Sequence, residues 1–166
     1  MAREYPHDIE AERSLLGSML ISSDACQNIL SLATKDDFYL DSHRILFEAM
    51  QSIDSQNNPV DVTTVTSYLI DKKLLDKIGG VEYLLQLSES VPTTAHSQYY
   101  LKILNEKSLL RRLIQESTEI IEHAYGDIGN INDFIGEAEK NFLNVTRDRK
   151  ATDFKSSRVV ISDVMQ

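Results

Sequence analysis

From Thr93 to Tyr125 the chain contains neither glycine nor proline. Such a stretch is typical of one long helix, about 45 Å from end to end at the rise of an α-helix. Segment 126–130 contains two glycines and is predicted to turn the chain, after which 131–145 resumes the helical period. We therefore predict a long antiparallel helical hairpin attached to a smaller domain, an arrangement suited to assembly rather than to catalysis.

The first hairpin helix carries more apolar surface than one partner helix can cover. On a helical projection its apolar residues sweep roughly 140°. They are Ile103, Leu109, Leu110, Leu113, Ile114, Ile120, Ile121 and Ala124. The face predicted to pack back onto this helix consists of Ile131, Ile135, Ala138, Phe142 and Val145. A second partner is implied, and an identical chain is the simplest candidate.

Residues 1–96 have the pattern of a globular lobe of short helices. Asp8 is predicted to cap the first helix, and Glu10 and Glu12 suit the positive end of its dipole. Gly17 lies inside that helix, where glycine costs about 1 kcal/mol relative to alanine. Its presence therefore indicates that a neighbouring helix approaches closely.

Segment 60–66 is ambiguous because it is rich in valine and threonine, which favour strands. Val62, Val65 and Leu69 nevertheless follow helical spacing, and Asp61 is placed to cap. The chain has no second strand with which this segment would pair. We predict a helix here and an all-α fold overall.

The charge is unevenly distributed along the chain. Residues 1–96 hold 7 basic and 15 acidic residues, a net of −8, whereas 97–166 hold 10 and 11, a net of −1. A lobe this negative repels phosphates, so we expect no direct DNA binding from residues 1–96. The lone Cys26 excludes an intrachain disulfide and fits a reducing cytosol. The absence of a signal peptide or membrane span predicts a cytoplasmic protein.

No motif for catalysis, cofactor binding or metal binding is present in the sequence. None of the six glycines is followed by lysine, as a P-loop requires, so we expect no bound ATP. The four histidines lack metal-ligand spacing. Phe38, Tyr39 and Phe47 would suit base stacking, but core packing is the favoured interpretation in an acidic lobe. Lys107, Arg111 and Arg112 form a basic group on the first hairpin helix. A solvated helix face is the favoured interpretation, over a contact with nucleic acid or an acidic partner.

These features divide the chain into four segments. The globular lobe covers 1–96 and the hairpin covers 97–148. A polar, mildly basic connector follows at 149–158, and 159–166 opens a short amphipathic element.

Several separated motifs occur in a characteristic order. They are Pro6-His7-Asp8-Ile9-Glu10-Ala11-Glu12, Asp37-Phe38-Tyr39, His43-Arg44-Ile45-Leu46-Phe47-Glu48-Ala49-Met50, Pro59-Val60-Asp61-Val62-Thr63-Thr64, Gly79-Gly80-Val81-Glu82-Tyr83-Leu84 and Val91-Pro92-Thr93. In order and spacing they resemble the N-terminal domain of the bacterial replicative DNA helicase of the DnaB type. The resemblance covers residues 5–148, and 159–166 resembles the start of that family's linker helix.

The resemblance implies a collar domain in a hexameric helicase that unwinds DNA 5′ to 3′. ATP and magnesium would belong to a C-terminal domain absent from this chain, which itself would be no enzyme. The partners implied are a second copy, up to a trimer of dimers, and the primase. The dimer positions implied are Leu109, Leu113 and Ile120. The residues assigned to primase docking are Tyr125, Ile128, Lys107, Arg111 and Arg112.

Two other interpretations remain open at this point. The chain would also suit a free-standing helical adaptor, such as a helicase loader or inhibitor that imitates this domain. An enzyme with an unrecognised site is the third interpretation, although no convergent cluster of polar residues supports it.

Overall fold

The structure of the chain, a computed structural model, describes residues 3–147. The predicted connector and linker segment, 149–166, lie outside the described residues. Within the described part the fold is all-α, as predicted, with seven α-helices and no strand. The helices are α1 Ile9–Ile21, α2 Ser23–Leu32, α3 Asp41–Ser55, α4 Val62–Asp71, α5 Gly80–Glu89, α6 Ser97–Tyr125 and α7 131–147. Two 3-10 helices, Lys35–Asp37 and Leu75–Ile78, precede α3 and α5.

Side-chain caps set where several helices begin. The Asp8 carboxylate accepts a hydrogen bond from the Ala11 N–H at 3.0 Å, which confirms the predicted start of α1. At α4, Asp61 accepts from the Thr64 N–H at 2.8 Å, and the Asp61 N–H donates to the Thr64 hydroxyl at 3.0 Å. This reciprocal box resolves the ambiguous valine- and threonine-rich segment as a helix.

The lobe closes around one apolar core to which α1 and α3 contribute most heavily. The rings of Phe38 and Phe47 are fully buried, with centroids 5.1 Å apart. Tyr39 is half-buried and stacks on His7 at 4.1 Å. The predicted packing role of these aromatic residues is confirmed for the two phenylalanines, which have no exposed face for a base.

The chain divides into two compact units. Among the described residues, one is His7–Ser108, and the other combines residues 3–6 with residues 109–147. The predicted lobe ended at residue 96, where α6 begins, but the compact unit continues to Ser108. The reason is that Leu101 and Leu104 of α6 are buried in the core, and the Ser108 hydroxyl donates to Asp37 at 2.7 Å.

Gly17 lies where α1 meets α5. A Cβ added at this position would meet the carbonyl oxygen of Leu87 and would lie 2.5 Å from a methyl group of Val91. Both contacts are closer than a carbon atom tolerates, so the packing of α1 against α5 requires glycine at this position. The close approach expected from the sequence is confirmed.

Replacing Gly17 with alanine should lower the free energy of unfolding by about 1–3 kcal/mol, because the methyl group would force α1 and α5 apart. Gly136→Ala is the matched control, since nothing lies within 4 Å of the added carbon on α7. That variant should gain about 0.4–1 kcal/mol from the lower entropy of its unfolded chain. Urea unfolding followed by circular dichroism measures both. Equal effects of the two substitutions would contradict the packing argument.

Candidate interaction surface of the hairpin

The second compact unit contains most of the hairpin predicted from the sequence, namely α6 from Leu109 onward and α7. Its turn is set by short-range hydrogen bonds, in which Asp127 accepts from the Gly129 N–H at 3.1 Å. Gly129 has a φ of +66°, a conformation that favours glycine. The Asn130 side chain then accepts from the Asn132 N–H at 2.9 Å and caps α7. The chain therefore reverses direction through hydrogen bonds and a glycine conformation that involve only neighbouring residues.

The two hairpin helices meet along a shallow apolar groove. Ile120 of α6 lines it together with Ala138, Phe142 and Leu143 of α7, and the groove encloses about 450 Å³. Val145, further along α7, is buried. Two helices in contact along one seam leave most of each helix surface uncovered.

The predicted packing face of α7 is only partly correct. Ala138 is half-buried and Val145 is buried, but Ile131, Ile135 and Phe142 are 60%, 46% and 45% exposed. Phe134, which the prediction omitted, is half-buried instead. Residues three positions apart differ by about 60° around a helix. The row that contains Phe134 and Ala138 therefore faces α6, while the row that contains Ile131 and Ile135 is turned away from it.

The predicted dimer positions Leu109, Leu113 and Ile120 are half-buried in the single chain. A second row on the same helix is more exposed. It comprises Leu110 at 44%, Ile114 at 40% and Ile121 at 56%. On α7 the exposed apolar row comprises Ile131, Ile135 and Phe142. Both rows follow the helical repeat, so each forms a continuous apolar stripe.

The residues assigned to primase docking are not all on the surface. Tyr125 is 90% exposed beside the turn, and Ile128 within the turn is half-buried. Lys107 and Arg112 are half-buried as well. Arg111 is 7% exposed, and its guanidinium donates to the carbonyl oxygen of Pro6 at 2.8 Å. Its charge thus serves a contact within the unit, which the helical position alone did not indicate.

Comparison with known proteins agrees with this geometry. Residues 4–106 match the model of the DnaB-like helicase N terminal domain. The chain is 37% identical over 156 residues to the replicative DNA helicase DnaC of Bacillus subtilis (strain 168), covering 94% of this chain and 34% of that protein. It is 39% identical over 152 residues to the replicative DNA helicase DnaB of Leifsonia xyli subsp. xyli, covering 92% and 33%.

This chain belongs to the DnaB-like helicase N-terminal domain family. It spans about a third of the length of the curated relatives that it matches. The crystal structure of the N-terminal domain of DnaB helicase from Mycobacterium tuberculosis superposes with a TM-score of 0.78 at 35% identity, covering 85% of this chain and 99% of that one. A DnaB-like replicative helicase described with its interactions with primase shares the fold, with a TM-score of 0.70 at 23% identity over 85% of this chain and 31% of that one.

This DnaB-like domain contains a buried polar network that was not predicted from the sequence. Glu12 was expected to suit the positive end of the α1 dipole, and its side chain is in addition buried, at 1% exposed, and lies 2.8 Å from Nδ1 of His43. The other imidazole nitrogen lies 2.6 Å from the hydroxyl of Tyr83. A detectable signal was the placement of His43 among Leu46, Phe47 and Met50 on the apolar face of α3.

The described residues of the DnaB-like domain show little other site chemistry. They contain no group of three or more His, Cys, Asp or Glu side chains placed to hold a metal ion. None of their helices combines the length and apolar character that a membrane span requires. Cys26 is 2% exposed in the lobe core, and burial raises the pKa of its thiol to about 11, with a further contribution from the Asp54 charge.

The Cys26 thiol should therefore be unreactive in the folded domain. Because the thiolate is the nucleophile and the pKa of Cys26 is raised, almost none of it is ionised at pH 8. Labelling with a disulfide reagent should be at least about a hundredfold slower in buffer than in urea, where Cys26 has the pKa of a free cysteine. A free cysteine in a short peptide is the control for reagent activity. Equal labelling rates in buffer and urea would contradict the burial.

Proposed function

We propose that this chain is the assembly collar of a hexameric replicative DNA helicase. The observation that carries the proposal is the pair of exposed apolar stripes on the hairpin, one on α6 and one on α7. Large apolar side chains each contribute about 1.5–3 kcal/mol when fully buried, so stripes of this length favour association. The relatives named above are replicative helicases, which favours this proposal over the free-standing adaptor.

The seam of the proposed dimer consists of the exposed rows. On α6 it comprises Leu110, Ile114 and Ile121, flanked by the half-buried positions Leu109, Leu113 and Ile120. A second copy of the hairpin covers these rows with its own, as a two-fold interface requires. In this proposal three such dimers form the collar. ATP-driven unwinding of DNA 5′ to 3′, in the bacterial cytoplasm, belongs to a following domain that binds ATP and magnesium.

The second partner in this proposal is the primase. One structural relative is described with its interactions with primase, and its fold is shared by this chain. Tyr125 is the strongest candidate anchor, because a 90% exposed tyrosine beside the turn presents a large apolar ring to a partner. Ile128 supports it, and Lys107 and Arg112 contribute to rate and specificity rather than to affinity.

Placing a charge in the exposed row should abolish self-association while preserving the helices. Ile114→Asp puts a carboxylate in the seam, where an unpaired desolvated charge costs several kcal/mol. Ile70→Asp is the matched control, since Ile70 is also an exposed isoleucine, at 57%, but lies on α4 in the lobe. Sedimentation velocity at tens of micromolar, combined with circular dichroism, measures both properties. If the unmutated protein is monomeric, or if the Ile70→Asp control dissociates equally, the exposed row of α6 is not the dimer interface.

Primase binding should require both the assembled hairpins and Tyr125. Titrating the C-terminal region of the cognate primase onto Tyr125→Ala should raise the Kd by roughly thirtyfold, or about 2 kcal/mol, while the variant remains oligomeric. The control Tyr99→Ala removes another exposed tyrosine, at 64%, from the lobe and should leave the Kd unchanged. Full primase binding to the monomeric Ile114→Asp protein would show that the site does not require two hairpins. Full primase binding to Tyr125→Ala would show that the turn is not part of the interface.

A further inference from the structure

Three exposed lysines lie at the corner of the lobe where α4 ends. Lys72 and Lys73 follow directly after α4, and Lys77 lies in the 3-10 helix that comes next. Residues 1–96 hold 7 basic residues, and three of these 7 lie within segment 72–77. These three lysines, together with Ile70, are termed the lysine corner. The acidic lobe therefore carries a concentrated positive surface at this point.

The backbone at the end of α4 has a conformation that is unfavourable for lysine. The N–H of Leu74 donates to the carbonyl of Leu69 at 2.8 Å, and the N–H of Lys73 donates to the carbonyl of Ile70 at 3.0 Å. This pair of hydrogen bonds forms a Schellman motif, whose left-handed residue is usually glycine. Here that residue is Lys73, with a φ of +58°. A long cationic side chain is therefore present where glycine would be more stable.

The end of α3 has the same motif with a residue that suits it better. The N–H of Asn58 donates to the carbonyl of Ile53 at 3.2 Å, and the N–H of Asn57 donates to that of Asp54 at 2.9 Å. The left-handed residue is Asn57, with a φ of +61°. Asparagine tolerates this region because its short polar side chain forms local hydrogen bonds. Lysine has no such tolerance, so the side chain of Lys73 requires a reason outside the turn.

Buried neighbours hold the lysine corner in place. Leu69 is fully buried, Ile78 is 3% exposed, and Leu74 packs against the lobe core. The Nζ atom of Lys72 lies 5.7 Å from the centroid of the Tyr68 ring, within the range of a cation–π contact. The lysines therefore project from a backbone that is anchored on both sides of the turn.

The charges of the lysine corner are available to a partner. Among the described residues, none of the three lysines forms an ion pair with a carboxylate. Ile70 beside them is 57% exposed and offers an apolar contact. Because interfaces match charge with opposite charge, this surface fits a segment that has carboxylates around an apolar side chain.

The surroundings of the lysine corner favour a short acidic peptide over a nucleic acid. Asp71 and Asp76 are exposed within the same segment. Glu82 and Glu89 line a groove on α5 that begins at Gly79. A nucleic acid carries a charge at every phosphate, so its backbone would pass these carboxylates and be repelled. A short peptide contacts the lysines alone.

We propose that the lysine corner is a docking surface for a short acidic segment of another protein. The lysines attract the carboxylates of that segment, and Ile70 contacts one of its apolar side chains. Lys73 is present in place of glycine because its charge contributes to this contact. The surface lies on the lobe, so it does not rest on the proposed role of the hairpin.

The probe is a short fluorescent peptide of aspartate and glutamate around a central phenylalanine. It is titrated with the full 166-residue chain and followed by fluorescence anisotropy. The comparison probes are the same peptide with asparagine and glutamine in place of the acids, and fluorescent oligothymidylate. The acidic peptide should bind at low salt and dissociate as the salt concentration rises, because salt screens exposed charges. No binding of the acidic peptide, or equal or tighter binding of either comparison probe, would overturn the proposal.

The variant Lys73→Gly separates a binding role from a structural one. Glycine adopts the left-handed conformation readily, so the urea midpoint of unfolding should rise. The Kd of the acidic peptide should rise about three- to fivefold at the same time, because one exposed charge is lost. A fall in the urea midpoint would show that the side chain of Lys73 stabilises the turn itself, and this result or an unchanged Kd would overturn the proposal.

Two control variants test whether the effect is local to the lysine corner. Asn57→Gly changes the equivalent left-handed residue at the end of α3 and should leave the Kd unchanged. Lys35→Gln removes another exposed lysine of the lobe and should also leave the Kd unchanged, although it alters the net charge as much as Lys73→Gly does. The combined variant Lys72→Gln, Lys73→Gln and Lys77→Gln should raise the Kd at least about tenfold. A rise of the Kd in either control equal to that in Lys73→Gly would refute the assignment.

Discussion

The contact of α1 with α5 at Gly17 is the constraint on which the interior of the lobe depends. Because Gly17 has no side chain, the backbone of α5 at Leu87 comes close to α1. This proximity places Glu12 on one helix and Tyr83 on the other within reach of a single imidazole, that of His43. A wider helix pair would leave buried polar groups without partners, so packing and hydrogen bonding support the same geometry.

The hairpin differs from the lobe in how completely it buries its apolar residues. The lobe encloses a core to which α6 contributes Leu101 and Leu104. In the second unit α6 and α7 share one seam, and among the described residues a second apolar row on each helix remains exposed. If the proposed dimer forms, the stability of this unit depends on the concentration of the chain.

Local signals account for the parts of the fold that were predicted correctly. The cap formed by Asp61 and Thr64 involves residues three positions apart, so a sequence pattern contains the whole interaction. The same holds for the turn around Gly129 and the cap at Asn130. Glycine within a helix carries a known cost, which made the close approach at Gly17 predictable before its partner was known.

The sequence by itself determined the order of the helices, the hairpin and the family, because capping, periodicity and motif spacing are properties of neighbouring residues. Only the tertiary structure decided which side of each helix is covered. Leu109 is half-buried while Leu110 is exposed, Arg111 turns inward to Pro6, and Glu12 lies in the core rather than on the surface. Burial depends on where distant segments pack, and no pattern within a single helix contains that information.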